Sequence, residues 1–415
     1  MPDELISVEA AVALLDGLPV EPRIERVRLD DAAGLQLAED VVTDRDFPAF
    51  DKSLMDGFAA RIGEQHELQI VGESVAGRAF EKELSPGEAI RIMTGAKLPP
   101  GAVGVVPVEK ANVQGDRVSF EAPSEADRYI ARRGSDRPDG HVVATHGEIV
   151  TPAHIAALAS VGADRVSVVG RPRCLVMTTG DEIVDAGEVP AEHQLRDANG
   201  PSIAGLLRGL GCEAINLPVC EDDLDTTRRR LAEALSMGAD AVFVSGGMSM
   251  GERDYVPRVL EELGCRFHLR KLAIKPGKPF VVATHPQRSD FVVGHGGAAR
   301  HNRETFVFGL PGNPVSAFVC TLILARRVLH RLAGRDLESL AYERLPLREA
   351  LPANGDRTFY LPAKVKNIAV TPLRWKGSAD VFTLAQANAL IECPTNAPEQ
   401  QPGEVVTIVP IPLGR

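Results

Sequence analysis

The stretch ADAVFVSGGMSMG, residues 239–251, decides the fold that we predict for this chain. Its apolar run at 241–244 is typical of a buried strand and passes directly into Ser245, Gly246 and Gly247. Adjacent glycines at a strand exit can turn backbone N–H groups toward an anion, because no Cβ blocks the approach. A helix beginning near residue 254 would point its positive dipole end at the same place. The alternative is an ordinary turn, which is the commoner meaning of a Gly-Gly strand exit.

The region around this stretch alternates predicted strands with predicted helices. Such alternation implies a doubly wound, mostly parallel sheet within an α/β domain. The predicted strands are 174–177, 214–220, 241–244, 280–283 and 305–308, and the predicted helices are 202–210, 224–237, 255–263 and 315–332.

The regions on either side of this α/β pattern have a different distribution of apolar residues. Short apolar runs between residues 68 and 120, separated by Gly and Pro, predict a small β domain. A similar pattern from residue 345 onward predicts a second one, with a helix at 383–390. The N-terminal segment 7–18 predicts a helix capped by Ser7. The predicted fold class is therefore α/β and β, in several domains.

Length and composition exclude several classes of protein. A chain of 415 residues is expected to form two to four domains. The net charge of −11, without a Lys/Arg run, argues against nucleic-acid binding. The six cysteines form no C-x-x-C pair, which predicts reduced thiols rather than a zinc site or a disulfide framework. An acidic N-terminus without a secretory signal, and no apolar run long enough for a bilayer, predict a cytoplasmic protein without a membrane contact.

Three of the predicted strand exits carry polar, glycine-bearing sequences: TTGDE at 178–182, SGGMSMG at 245–251 and GLPGNP at 309–314. Ligands of open parallel sheets bind beyond the carboxyl ends of the strands, so we expect these exits to form one site. The candidate ligand-contacting residues there are Thr179, Gly180, Ser245, Gly246, Gly247, Ser249, Gly251, Gly309, Gly312 and Asn313.

Charged residues near these exits suggest a polyanionic ligand with a metal ion. Lys275 and Lys278 lie in a Lys-Pro-Gly-Lys bend and offer two ammonium charges, although a solvated turn is the alternative. Carboxylates beside phosphates repel them unless a cation lies between. Asp181, Glu182 and Asp254 are therefore candidate Mg²⁺ ligands, while Asp254 could instead cap the following helix.

Other chemistries have no support in the sequence. Neither a Walker-type phosphate loop nor a dinucleotide-binding glycine fingerprint follows a predicted strand, and no Ser/His/Asp arrangement is evident. A polar insertion at 285–304 contains His285, His295 and His301. Their irregular spacing favours a surface excursion over a metal site.

Taken together, six ordered motifs resemble those of the molybdopterin molybdotransferases, which include the bacterial MoeA-type enzymes and the E domain of gephyrin-like proteins. In this chain they read SLMDGFA (53–59), RIMTGAKLPPGA (91–102), TGDE (179–182), SGGMSMG (245–251), KPGKP (275–279) and GLPGNPVS (309–316). The resemblance implies insertion of molybdate into adenylylated molybdopterin, with Mg²⁺-dependent cleavage of the adenylate and release of AMP.

The family's architecture supplies the expected domain division. It implies an elongated homodimer whose active site lies between the α/β domain of one subunit and the inserted β domain of the other, and transient contacts with other cofactor-biosynthesis proteins. Mapped onto this chain, the expected domains are an N-terminal helical segment (1–23), an elongated connecting domain (24–45 and 141–170), an inserted β domain (46–140), the α/β domain (171–334) and a C-terminal β-barrel-like domain (335–415).

By matching position, the resemblance also implies functional residues. The polar residues expected to act in catalysis are Asp56, Thr94, Asp136, Glu182, Asp222, Lys275 and Lys278. Asp197, Asn199, Pro311, Pro314 and Ser378 are expected to contact the substrate. From the residues alone, Asp56 and Gly57 could equally form a hairpin turn. Gly-Glu-Arg-Asp at 251–254 departs from the family's Gly-Asp-Tyr-Asp, which leaves open whether Glu252 or Asp254 meets the metal.

Two alternatives compete with this interpretation. The first is the pathway's adenylyltransferase, whose fold resembles residues 171–330 but would not need the β domains. The second is a non-catalytic scaffold of the gephyrin E-domain type. A scaffold could lose Glu182 and Lys275, yet this chain keeps both.

Overall fold

The computed structural model describes residues 5–61, 63–64, 67–248, 255–287, 303–340 and 342–412. It separates the chain into two compact units, Met1–Glu25 with Val169–Arg415, and Arg26–Val168. Three predicted site residues, Ser249, Gly251 and Asp254, lie outside the described residues, as do Glu252 and most of the 285–304 insertion.

The described helices are mostly short. They are α1 (Val8–Gly17), α2 (Pro152–Ser160), α3 (Asn199–Gly209), α4 (Leu224–Ser236), α5 (Tyr255–Glu262), α6 (Pro314–Cys320), α7 (Arg326–Leu332) and α8 (Val381–Leu384).

The strands fall into the two units in chain order. The first unit begins with β1 (Leu5–Ile6). The second unit and its borders contain β2 (Ile24–Arg28), β3 (Gln36–Leu37), β4 (Val41–Val42), β5 (Lys52–Ser53), β6 (Gly57–Ala60), β7 (Leu68–Ser74), β8 (Glu88–Ile92), β9 (Gly104–Pro107), β10 (Ala111–Gln114), β11 (Arg117–Phe120), β12 (Ile130–Ala131), β13 (Val142–Ala144) and β14 (Arg165–Val169). The first unit continues with β15 (Arg173–Thr178), β16 (Ile183–Val184), β17 (Leu195–Arg196), β18 (Glu213–Asn216), β19 (Ala241–Ser245), β20 (Arg266–Leu269), β21 (Lys271–Leu272), β22 (Ile274–Lys275), β23 (Val281–Pro286), β24 (Glu304–Leu310), β25 (Glu343–Pro346), β26 (Thr358–Lys366), β27 (Ala369–Pro372), β28 (Ala389–Cys393) and β29 (Val405–Pro410).

The central sheet of the first unit has the strand order β18-β15-β19-β24-β23-β20. The first four strands are parallel, whereas β23 and β20 are antiparallel. Thr178 pairs with Ser245, and Ser245 pairs with Leu310, so three strands end at the same level. The predicted doubly wound, mostly parallel sheet is confirmed, with an antiparallel edge that the sequence did not predict.

Both faces of this sheet are covered by helices, which is why its central strands β19 and β24 are buried almost throughout. Phe243 and Phe308 stack with ring centroids 4.9 Å apart in the core shared with α3, α6 and α7. Val242 and Val307 point the opposite way, into the core formed with α4 and α5. Because successive side chains of a strand point to opposite faces of the sheet, each strand contributes residues to both cores.

Capping explains where two of the helices begin. The Ser7 hydroxyl accepts a hydrogen bond from Ala10 N (3.1 Å), which confirms the predicted cap of α1. Helix α3 begins at Asn199, earlier than predicted, because Asp197 Oδ1 accepts from the N–H groups of Asn199 (3.0 Å) and Gly200 (2.9 Å). The predicted helix 315–332 is one helical run, in which a π-helical turn at Thr321–Ala325 joins α6 to α7.

The prediction of a helix at 383–390 is wrong. Only Val381–Leu384 is helical, and the chain then enters β28 between β26 and β29. The Asn388 side chain accepts from Val365 N (2.7 Å) and donates to Val365 O (3.0 Å). These bonds fix the start of the strand, and sheet pairing overrides a locally helical composition.

The remaining strands form smaller sheets. The second unit has a six-stranded sheet in the order β10-β11-β7-β8-β6-β9 and a three-stranded sheet β2-β14-β3. The C-terminal region forms a sheet in the order β22-β26-β28-β29-β25. Its first strand, β22, does not come from the C-terminal region but from the start of the lysine bend. All six cysteines are buried and free, and none of the helices in the described ranges has the length and apolarity to cross a bilayer.

Candidate active site

The three glycine-bearing exits lie side by side at the carboxyl edge of the central sheet. Register pairs Thr178 with Ser245 and Ser245 with Leu310, and Thr179 N donates to Ser245 O (2.8 Å). Gly180 N donates to Cys220 O (3.1 Å), which brings the segment before α4 to the same edge. Four segments therefore border one region of the surface.

One buried amide ties these segments together. Asn199, at the start of α3, donates from Nδ2 to Ser245 Oγ (2.7 Å) and to Gly312 O (2.7 Å). Asp197 Oδ1 accepts from Thr178 Oγ1 (3.2 Å), and Ser245 Oγ donates to Pro311 O (3.2 Å). The network holds the GLPGNP loop against the end of β19. The sequence indicated these residues individually, but nothing in it indicated that they bond to one another.

Two buried polar atoms of this region make no hydrogen bond to the described part of the chain. They are Thr179 Oγ1 and Asn199 Oδ1, on residues that are 4% and 7% exposed. Buried polar atoms normally have a partner, because an unsatisfied one costs about 1–3 kcal/mol. Unsatisfied atoms at a strand exit are consistent with a site that is completed by a ligand.

Gly246 must be glycine for a steric reason. Its φ is +98°, and a Cβ placed on it would overlap the Thr179 carbonyl oxygen and lie 2.8 Å from Thr179 Oγ1. Gly247 also has a positive φ, +59°. Consecutive residues of this kind expose backbone N–H groups in a way that other residues would resist.

Replacing Gly246 by alanine is expected to lower the free energy of unfolding of the first unit by about 1–3 kcal/mol, because the loop must shift or remain strained. Urea denaturation followed by tryptophan fluorescence measures this change. Gly187→Ala is the matched control, since a Cβ there meets nothing within 4 Å. Equal stability of the two variants would contradict the steric account.

Gly309 also has a packing role. A Cβ on Gly309 would overlap the methyl group of Met248 and lie 2.8 Å from its sulfur. Met248 is buried and follows Gly247 directly, so its side chain anchors the SGGMSMG loop on β24. By contrast, Gly312 has open space around its Cβ position, so steric crowding does not explain that glycine.

The carboxylates of the TTGDE exit lie at its outer side. Asp181 Oδ1 accepts from Asp222 N (2.9 Å), so these two predicted residues meet through the backbone. Glu182 is exposed, and its Oε2 lies 2.9 Å from the position that a Cβ on Gly180 would take. Within the described ranges, no group of three or more His, Cys, Asp or Glu is arranged to hold a metal ion.

The lysine bend packs on the helix that follows the GLPGNP loop. A Cβ on Gly277 would lie 2.5 Å from Cys320 Sγ and 3.8 Å from Ser316 O, both on α6. Lys275 and Lys278 are exposed on this bend. Ser378, from the C-terminal region, accepts from Val315 N through its carbonyl (3.0 Å). The bend and the 378 segment therefore both contact α6 within its first two turns.

In the second unit, two predicted residues contact each other. The Asp56 carboxylate accepts from Thr94 N (2.7 Å) and from Thr94 Oγ1 (2.7 Å). The backbone N–H of Thr94, and then its hydroxyl, hold the pKa of the Asp56 carboxyl below its ordinary value. Asp136 is exposed on another loop, where its N–H donates to Phe47 O (3.0 Å).

The stability contribution of Asp56 is expected to depend on pH. Its folded-state pKa is lowered, so the contribution is present above the unfolded pKa, about 3.9, and is lost as pH falls through the folded value. The difference in melting temperature between the wild type and Asp56→Asn should therefore be constant above about pH 5 and shrink below about pH 4. Thermal unfolding from pH 3 to 6 measures it, with Asp139→Asn as control. A difference that persists unchanged at pH 3 would show that ionisation of Asp56 is not involved.

Family models match most of the chain. A model described as the MoeA N-terminal region (domain I and II) matches residues 6–162, a probable molybdopterin binding domain matches 175–331, and the MoeA C-terminal region (domain IV) matches 344–411.

Individual relatives agree with these matches. The molybdopterin molybdenumtransferase of Haemophilus influenzae is 32% identical, over 97% of this chain and 97% of the relative. That of Bacillus subtilis is 29% identical, over 97% of this chain and 94% of the relative. A crystal structure of the molybdopterin biosynthesis MoeA protein from Pyrococcus horikoshii, 27% identical, superimposes with a TM-score of 0.81 over 98% of this chain and 99% of that one. The similarity extends through both units and confirms the family predicted from the six motifs, so this chain belongs to the molybdopterin molybdenumtransferases, the MoeA-type enzymes of molybdenum cofactor biosynthesis.

Proposed function

We propose that this enzyme inserts molybdate into adenylylated molybdopterin. The two thiols of the pterin form Mo–S bonds and give their two protons to one oxo ligand of molybdate, which leaves as water. A second water molecule cleaves the phosphoanhydride, which releases AMP and leaves the other phosphate on the pterin. The observation that carries the proposal is the meeting of three glycine-bearing strand exits at one sheet edge, linked by Asn199. Both substrates are anionic, and such an edge presents backbone N–H groups to anions.

The proposed site residues have different chemical roles. The backbone N–H groups of Gly246 and Gly247 would hold phosphate, and the lysines of the bend would supply positive charge to molybdate or phosphate. The acceleration would come mainly from holding oxyanion and dithiolene together and from charge stabilisation. The other proposed substrate contacts are Thr179, Gly180, Asp197, Asn199, Ser245, Ser249, Gly251, Gly309, Pro311, Gly312, Asn313, Pro314 and Ser378.

Mg²⁺ is the proposed metal. Asp181 and Glu182 fit it by chemistry, since Mg²⁺ takes one or two carboxylates together with phosphate oxygens and water. Asp254 or Glu252 would complete the ligand set. When bound, the ion offsets the negative charge of the anhydride. Glu182 and Asp181 would orient the ion, while Asp222 supports Asp181 through its backbone N–H.

We further propose the family's assembly. The domains would be residues 1–23, 24–45 with 141–170, 46–140, 171–334 and 335–415, in a cytoplasmic homodimer that contacts other pathway proteins transiently. Asp56, Thr94 and Asp136 would reach the α/β domain of the partner subunit. The hydrogen bonds from Thr94 to Asp56 support a shared role for these two residues.

One assay separates this function from its alternatives. The purified protein is incubated with Mg²⁺, molybdate and adenylylated molybdopterin, and AMP is quantified. Molybdate-dependent AMP release is the expected result. ATP consumption with unadenylylated molybdopterin would instead indicate an adenylyltransferase, and no turnover in either reaction would indicate a scaffold.

A further inference from the structure

The first lysine of the bend lies within the C-terminal sheet. Ile274 pairs with Thr358 and Lys275 pairs with Phe359, so the backbone of the lysine is fixed by β26. The Lys275 ammonium lies 4.9 Å from the centre of the Phe359 ring. This distance is within the range of a cation–π contact.

A second aromatic residue holds that ring in place. Trp375, the single tryptophan of the chain, packs against Phe359 with ring centroids 5.5 Å apart and planes tilted by 32°. Trp375 also contacts both the core of the α/β domain and the core of the C-terminal sheet. The ring beneath Lys275 is therefore supported by a tryptophan that is itself packed against both cores.

The two lysines of the bend differ in this respect. Among the described residues, Lys278 makes no cation–π contact. Its carbonyl oxygen accepts hydrogen bonds from Leu272 N (3.0 Å) and Phe280 N (3.1 Å). The side chain of Lys275 is thus held before any ligand arrives. A held side chain loses less conformational freedom on binding an anion.

We propose that Phe359 is a positioning residue for Lys275, through which the C-terminal sheet orders the lysine that receives the substrate's negative charge. The inference rests on the function proposed above, because it assigns Lys275 to the anionic substrate. Phe359 itself touches the lysine and not the reacting atoms. Losing the ring should weaken binding by about two- to fivefold, the factor that corresponds to an exposed cation–π contact.

The first readout is spectroscopic and needs no substrate. Reductive ¹³C-methylation of the full-length protein labels lysine Nζ, and Lys275→Arg identifies the Lys275 resonance. A methyl group over the Phe359 ring should be shifted upfield by the ring current. Phe359→Leu should remove this shift, and Phe359→Tyr should keep it. A Lys275 resonance that is unchanged in Phe359→Leu would overturn the contact in solution.

The second readout is the affinity for adenylylated molybdopterin, measured by calorimetry. Phe359→Leu should weaken it about two- to fivefold, whereas Phe359→Tyr should keep it. Phe382→Leu, at an 80% exposed ring on helix α8, is the control and should leave the affinity unchanged. In a Lys275→Ala background Phe359→Leu should have no further effect, whereas in Lys278→Ala its effect should persist.

The outcomes are distinguishable. Equal losses in the Lys275 and Lys275→Ala backgrounds would show that Phe359 supports the fold rather than the lysine, and would overturn the inference alone. If Phe359→Leu bound adenylylated molybdopterin with the affinity of the wild type, the inference alone would likewise be overturned. A wild type that binds no adenylylated molybdopterin would overturn the proposed function, and the inference with it.

Discussion

Glu182→Ala is expected to reduce molybdate-dependent AMP release by at least about a hundredfold in kcat, the usual scale for removing a charge-stabilising group. The carboxylate lies beside Gly180 at the end of β15, exposed and next to Asp181. In the proposed function it would meet a cation that lies between itself and a phosphate, together with the neighbouring Asp181. Folding should be unaffected, because the side chain is not part of a core.

The control for this variant is Glu188→Ala, an exposed glutamate in the segment between β16 and β17. It should retain full activity. Circular dichroism and size-exclusion chromatography show whether fold and assembly are intact. Full activity of Glu182→Ala would mean that the carboxylate only stabilises the local turn, and the proposed metal site would then have to be abandoned.

Asn199→Ala should have the largest structural effect at the site. In the wild type, Asn199 Nδ2 donates hydrogen bonds to Ser245 Oγ and Gly312 O, both at 2.7 Å. Removing the amide leaves both of these oxygen atoms without that donor. The cost of one unsatisfied buried acceptor is about 1–3 kcal/mol, so we expect a loss of about 2–3 kcal/mol in the free energy of unfolding. AMP release should fall more than tenfold, because the GLPGNP loop is no longer held in place.

Denaturation curves and AMP release together test this prediction. Ser202→Ala, three residues further along α3, is the control and should change neither quantity substantially. If Asn199→Ala were as stable and as active as the control, the amide could not be what joins the strand exits.

The meeting of the three strand exits could be predicted from the sequence, because it follows from a short-range pattern. Apolar strands of a parallel sheet all end at one edge, so the glycines and carboxylates that follow them must be neighbours. The apolar run at 241–244 predicted the strand β19, and the Lys-Pro-Gly-Lys sequence predicted the lysine bend. The six ordered motifs then sufficed to identify the family.

What could not be predicted depends on contacts between distant segments. The Asn199 amide bonds to Gly312 only because α3 and the loop after β24 meet at the sheet edge. The ring beneath Lys275 comes from Phe359, in a strand that pairs with the bend from the C-terminal region. Composition alone misled at 383–390, where Ala, Leu and Gln favour a helix, but the helix ends at Leu384 and β28 begins at Ala389, paired with β26 and β29.

The most direct test of the account is a crystal structure of the protein with adenylylated molybdopterin and Mg²⁺ bound. We predict phosphate oxygens within hydrogen-bond distance of the N–H groups of Gly246 and Gly247, with Glu182 at the metal and Lys275 facing an anionic group. A ligand bound elsewhere, with these four residues untouched, would contradict it.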